Sequence, residues 1–198
     1  GYHELLHVLN RTTGVADKCA PSLEEPDLVR WGYYRTNMAS YAGQGIITIF
    51  PDYIGFNDPS RVQRYFSKAA EAHVLLDGYR AVREFFEGRE FAVRPGESAF
   101  SAGYSQGGHA ALAAADLLDQ YAPDVPLRGA IGFAATSNVT TLIKEAAYYA
   151  PYIFYSYREM YGQGEVNPSL YLQDRFAETL EEDMAERCVK EMELYYPF

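Results

Sequence analysis

The residue in this chain with the clearest capacity for covalent chemistry is Ser105, in the run Gly103-Tyr104-Ser105-Gln106-Gly107-Gly108-His109. A serine hydroxyl becomes a nucleophile when a neighbouring base takes its proton. Gly-x-Ser-x-Gly is the spacing of a nucleophile elbow, in which a strand ends in a tight turn carrying the serine and a helix starts at once. Gly103 and Gly107 suit that turn, because the positions two before and two after the strained serine crowd each other unless they lack large side chains. The turn also sets the hydroxyl above a helix N-terminus, whose free amides favour negative charge. A pattern this short recurs by chance, so its weight comes from context. Ser98 to Tyr104 fits a buried strand, and residues 107–121 (GGHAALAAADLLDQY) fit a helix ended by Ala122-Pro123.

The elements that must position the serine follow the same alternation. Leu5 to Leu9 reads as a strand closed by the polar turn Asn10 to Gly14, and Glu24-Glu25-Pro26-Asp27 opens a helix predicted from Leu28 to Tyr41. Gly45 to Phe50 is continuously apolar and β-branched, as in a strand covered on both faces. From Ser60 to Phe86, apolar residues spaced by threes and fours predict one long amphipathic helix. Leu127 to Ala134 predicts a further buried strand. Strand and helix alternate throughout, which is the α/β class with a parallel sheet. After Ser137 the chain becomes helical and tyrosine-rich, so residues 1–136 read as an α/β core and residues 137–198 as a helical cap. An aromatic wall for an acyl chain is one reading of that cap; ordinary core packing is the simpler one.

The 198 residues suffice for one domain, and 48% hydrophobic residues supply a core. A net charge of −10 argues against nucleic acid and anionic membranes as partners and leaves neutral or lipid-like substrates open. No apolar run is long enough to span a bilayer and no signal peptide opens the chain, which begins at Gly1 and is expected to be a processed or excised piece.

Three stretches carry a resemblance to the secretory lipase family of α/β-hydrolases: residues 12–22 (TTGVADKCAPS), Pro51-Asp52-Tyr53-Ile54-Gly55, and the elbow itself. The resemblance spans nearly the whole chain. It implies a parallel sheet with a helical cap insertion, and hydrolysis of carboxylic esters, often of lipids, outside the cell and without a cofactor or metal. It also implies a small-molecule or lipid ester as substrate and transient contact with lipid surfaces. By the same resemblance Ser105 is the nucleophile, and the backbone N–H of Gln106 is one donor of an oxyanion hole. The second donor is assigned to the loop Asn10 to Gly14, with the Thr12 backbone favoured. Where the family commonly reads His-Gly-Thr-Thr-Gly this chain has Asn10-Arg11-Thr12-Thr13-Gly14, so Arg11 adds bulk where backbone must approach a substrate. Asn10 and Asn138 also head formal glycosylation sequons, read as fortuitous.

The resemblance places Cys19 and Cys188 in a disulfide tying cap to core; on spacing alone the two thiols need not be joined. The fold orders its triad Ser, acid, His, yet the only histidine after Ser105 is His109, one turn along the same helix and expected to be a packing residue. His3, His7 and His73 are read as structural, and Asp116, Asp119, Asp124 and Asp174 as surface charges. The resemblance implies that the triad acid and base lie beyond Phe198 and the first two strands before Gly1, so the chain resembles the middle of the enzyme and is expected to be inactive alone and prone to self-association through its cut sheet edges. Acyl transfer or peptide cleavage on the same elbow, and a non-catalytic hydrolase-like domain, are the competing readings.

Overall fold

The computed structural model describes residues 1–9, 11–24 and 33–196. Asn10, with its sequon, and the predicted helix start after Glu24 lie outside the described residues. Four strands form one sheet: β1 (Tyr2–Leu9), β2 (Ile47–Ile49), β3 (Arg94–Tyr104) and β4 (Leu127–Phe133). Their order is β2-β1-β3-β4 and every pairing is parallel, with Leu5 opposite Ile47, Leu9 opposite Gly103 and Gly103 opposite Gly132. Helices α1 (Tyr34–Ala42), α2 (Lys68–Phe86) and α3 (Gln106–Tyr121) connect them, as parallel strands require.

The predicted strands are all present, but the full burial expected at 45–50 and 127–134 is not found: β2 is only half-buried, and β4 alternates half-buried and exposed residues because one face of the sheet edge is uncovered. Residues 98–104 extend back to Arg94, and the strand at 45–50 shortens to Ile47–Ile49. Two helix boundaries are corrected. The first helix is described from Tyr34, where Glu24 accepts the Tyr33 and Tyr34 backbone N–H groups and so sets an anion at the helix start. The helix predicted from Ser60 starts at Lys68, after an N-cap at Ser67 that accepts from the Ala70 N–H. Phe66, at φ 53°, lies in the left-handed region and cannot continue a right-handed helix. Tyr65 and Phe66 are buried in a separate cluster, which explains apolar spacing without a helix there.

One face of the sheet carries the main core. Leu5, Leu9 and Ala99 meet Ala72, Leu75, Leu76 and Tyr79 of α2 and a run of alanines on α3, Ala110, Ala111, Ala113 and Ala114. Small side chains let α3 lie close against the strands and α2. On the opposite face the β3–β4 edge leaves Phe100, Ile131 and Phe133 exposed, the last two by 56% and 58%.

After β4 the chain is helical: α4 (Val139–Glu145), α5 (Ala150–Tyr161), α6 (Asp174–Glu178), α7 (Leu180–Glu186) and α8 (Val189–Tyr195). Their apolar faces gather Tyr152, Ile153, Phe176, Leu180, Met184, Met192 and Tyr196 around Val15, Tyr65 and Phe66 from the earlier chain. The tyrosine-rich stretch thus supplies core, as the simpler sequence reading held, while Tyr161 and Tyr171 stay exposed. Asp183, buried among these helices, accepts from Thr179, Arg187 and the Tyr196 hydroxyl, so its charge is matched. A disulfide joins Cys19 to Cys188 across 169 residues, as the family resemblance implied. In the chain-entropy picture such a closure stabilises by about 5 kcal/mol. Among the described residues no helix is long and apolar enough to cross a membrane.

His7 sits fully buried on β1 beneath Gly78 of α2, and neither ring nitrogen has a partner among the described residues. Burial disfavours the imidazolium and pushes its pKa down from 6.5 to about 4. The unfolded chain therefore binds the extra proton first, and the stability present above pH 6.5 is lost as pH falls towards 4. Urea midpoints measured across that range should show the native chain losing about 3 kcal/mol more than a His7→Leu variant.

Candidate active site

Parallel strands bring their carboxyl ends to one edge of a sheet, and loops there are the usual place for chemistry. At that edge β3 ends at Tyr104 and α3 begins at Gln106, leaving Ser105 alone at the junction with φ 55° and ψ −114°. The residue is held from both sides: its N–H donates to the Phe133 carbonyl at 2.9 Å, and its carbonyl accepts from the His109 N–H at 3.0 Å. The sequence explains the sharpness of the bend, since a Cβ placed on Gly103 would come within 2.2 Å of the Gly107 backbone. Only glycine lets strand and helix meet so closely. Ser105 is half-buried, and the Gln106 N–H, first in the helix, belongs to the amides that the helical ladder leaves free.

The Gln106 side chain points inward instead, fully buried, and its amide donates to Oε1 of Glu71 at 2.8 Å. Glu71 is a buried carboxylate on α2. It also accepts from the Phe66 backbone N–H at 3.0 Å and from His109 Nδ1 at 2.5 Å. Burial raises the Glu71 pKa, and the donors, His109 foremost, work against that rise. His109 is therefore committed to Glu71, with its ring edge against Phe66 at 5.4 Å between centroids. The expectation that it packs rather than acts on Ser105 matches this geometry.

The loop after β1 reaches the same edge, because Leu9 pairs with Gly103. Its Thr12 is buried, and Thr12 Oγ1 lies 2.7 Å from the Tyr65 hydroxyl. Thr13 accepts from the Val189 N–H at 2.8 Å, which fastens the loop to α8 beside the disulfide. Arg11 is half-buried and acts electrostatically on Tyr34 and Tyr149.

The other histidines lie elsewhere. His3 bonds the Gly45 carbonyl, His7 is sealed in the core, and His73 stacks on Tyr121. Among the described residues no histidine hydrogen-bonds the Ser105 hydroxyl. Asp116 pairs with Lys68 and Asp124 with Arg80, while Asp119 and Asp174 are exposed, as expected of surface charges. No group of three possible metal ligands occurs among the described residues.

Beside the elbow is an apolar recess of about 200 Å³ lined by His109, Leu112, Ala113, Ala135 and Thr136. A wider, charged cleft of about 730 Å³ lies where Glu97 and Arg128 mark the amino-terminal part of β3 and β4, away from the serine. Sequence reading missed Glu71 and Tyr65. The available signal was an acid embedded among Ala70, Ala72 and Leu75 on the face of α2 that turns inward.

A sequence profile described as Secretory lipase matches residues 29–158, well over half of the chain. The chain belongs to the secretory lipase family. No curated protein matches it in sequence. Among solved structures, a candidate hydrolase from Legionella pneumophila is similar over 100% of this chain and 53% of its own, at 20% identity and a TM-score of 0.77. Lipase A of Candida antarctica is similar over 99% of this chain and 46% of its own, with 20% identity and a TM-score of 0.71. The rice cell wall degrading esterase LipA from Xanthomonas oryzae, in a ligand-bound form, aligns over 98% of this chain and 53% of its own, with 18% identity and a TM-score of 0.65. At these identities the likeness establishes the α/β-hydrolase fold, and this secretory lipase chain spans about half the length of the structures it matches.

The close meeting at the elbow can be tested directly. Gly103→Ala forces the strand and helix apart and should cost about 1–3 kcal/mol as an overpacked substitution, read as a lowered urea midpoint against the native chain.

Proposed function

We propose that the protein containing this chain hydrolyses carboxylic esters through an acyl-enzyme formed on Ser105. The observation that carries this reading is the strained serine at the strand–helix junction of a secretory lipase family member, with a helix N-terminus behind it. In this reading the Ser105 hydroxyl gives its proton to a base as its oxygen attacks the ester carbonyl carbon. The carbonyl oxygen becomes an oxyanion facing the backbone N–H groups of Gln106 and Thr12. The tetrahedral intermediate then expels the alcohol, which takes up the proton. Water repeats the sequence on the acyl-enzyme and releases the acid. Each fixed donor contributes about 3–4 kcal/mol to the transition state.

The base and its orienting acid are assigned to sequence outside residues 1–198. Two facts support this: the chain spans about half of the structures it resembles, and of its four histidines three are engaged elsewhere while His7 is sealed in the core. A neutral ester, including a lipid ester, suits a chain of net charge −10 better than an anionic polymer. The disulfide and the family together support action outside the reducing cytosol. The helical segment after Ser137 is read as the cap over this edge.

A fluorophosphonate probe followed by mass mapping tests the reading. In the full-length protein the label should fall on Ser105, a chromogenic ester should be hydrolysed, and Ser105→Ala should abolish both. The 198-residue chain alone should stay unlabelled. A full-length protein that neither labels nor cleaves esters would favour a non-catalytic domain, and one that labels but cleaves only peptides would favour a peptidase.

A further inference from the structure

We propose that Tyr65 and Glu71 are positioning residues that hold the two arms of the oxyanion hole at a fixed separation. The inference rests on the Ser105 reading above and concerns what sets the distance between Thr12 and Gln106. One donor sits on the loop after β1 and the other at the first residue of α3. The sheet ladder between β1 and β3 ends at Leu9 and Gly103, short of both of them. Past that point no strand ladder joins them, and side-chain hydrogen bonds make the link.

A continuous tether of hydrogen bonds crosses the gap. Thr12 Oγ1 meets the Tyr65 hydroxyl at 2.7 Å, and both residues are buried to within 2%. The Tyr65 N–H donates to Ser156 Oγ at 2.9 Å, and that hydroxyl donates on to the Gln63 carbonyl at 2.7 Å, which pins the segment to α5. The next residue, Phe66, takes the left-handed backbone that a bulky side chain avoids. That turn aims its N–H at Glu71 Oε1, 3.0 Å away. The same oxygen accepts from Gln106 at 2.8 Å, while His109 holds the other. From Thr12 to Gln106 the tether therefore runs through one phenol, one peptide and one carboxylate, with no exposed member.

Chemistry favours a positioning role over plain packing. An aliphatic side chain would join α2 to α3 without burying a charge, whereas a carboxylate with all its donors in place fixes directions as well as distances. Left-handed backbone at a bulky residue is retained where surrounding structure over-determines it, and such residues gather at functional sites. Ser105 and Phe66 both sit at positive φ and are linked through Gln106 and Glu71.

The test uses the full-length enzyme, with Tyr65→Phe, Thr12→Val, their double variant, and Glu71→Gln. Tyr65→Phe keeps the ring against Tyr152 and Phe66 and removes only the hydroxyl. For ester hydrolysis each single variant should lower kcat by about tenfold or more with KM within about twofold, the split expected when only transition-state binding is lost. The double variant should fall no further than either parent, since both remove one interaction. If the native enzyme labels at Ser105 while Tyr65→Phe and Glu71→Gln keep native kcat and change only the melting temperature, the tether is structural and the proposal fails, leaving the Ser105 reading intact. If the native enzyme does not label at Ser105, that reading fails and takes this one with it.

Discussion

The buried carboxylate of Glu71 is the constraint on which the arrangement around the elbow depends. A carboxylate out of water is tolerable only when its lone pairs are met by donors. Here the donors come from three places: the Phe66 backbone, the Gln106 amide and the His109 ring. None can be moved without stranding the charge. The N-terminal turn of α2, the first turn of α3 and the loop before α2 consequently fold as one unit, and Ser105 stands at its edge.

That unit also accounts for the unfavourable backbone near the serine. Ser105 and Phe66 both sit at positive φ, each at a cost of about 1–3 kcal/mol. For Ser105 the Phe133 carbonyl and the first turn of α3 hold the geometry, and Gly103 gives it room. For Phe66 the Glu71 bond and the T-shaped contact with His109 do so. The main core and the cluster of the later helices meet in this region, since Val15, Tyr65 and Phe66 belong to the second cluster while α2 belongs to the first.

Much of this was legible from residues alone. The strands declared themselves through short, mostly apolar runs, as at Gly45 to Phe50 and Ala99 to Tyr104, although the burial on both faces that such runs suggest is not met at Phe100, Tyr104, Ile131 and Phe133. The elbow was legible because its glycines answer a steric demand set within five residues. The start of α2 was not. Val62, Tyr65 and Phe66 have helical spacing, yet Tyr65 and Phe66 turn toward residues near 150–196, and local periodicity carries no record of a partner so far away. Glu71 was missed for the same reason, because an acid in Lys-Ala-Ala-Glu-Ala-His reads as solvent-facing and its burial is decided by Gln106 and His109, 35 and 38 residues on. Spacing left the cysteine pairing open, and the family resemblance supplied it.

The bond between Cys19 and Cys188 makes a covalent ring of everything from the first loop to the start of α8, so β2, β3, β4 and helices α1 to α7 are all enclosed. A single cut by a protease in any loop inside that ring opens it without releasing a piece. Both ends remain attached through sulfur, and the buried contacts of Glu71 and of the later helices keep the halves in register. Loss of a fragment requires a second covalent event, either another cut or reduction of the bond. For a protein whose family is secretory, the loops between Cys19 and Cys188, the elbow among them, can thus be nicked once without the chain coming apart, whereas the Thr12 loop lies outside the ring.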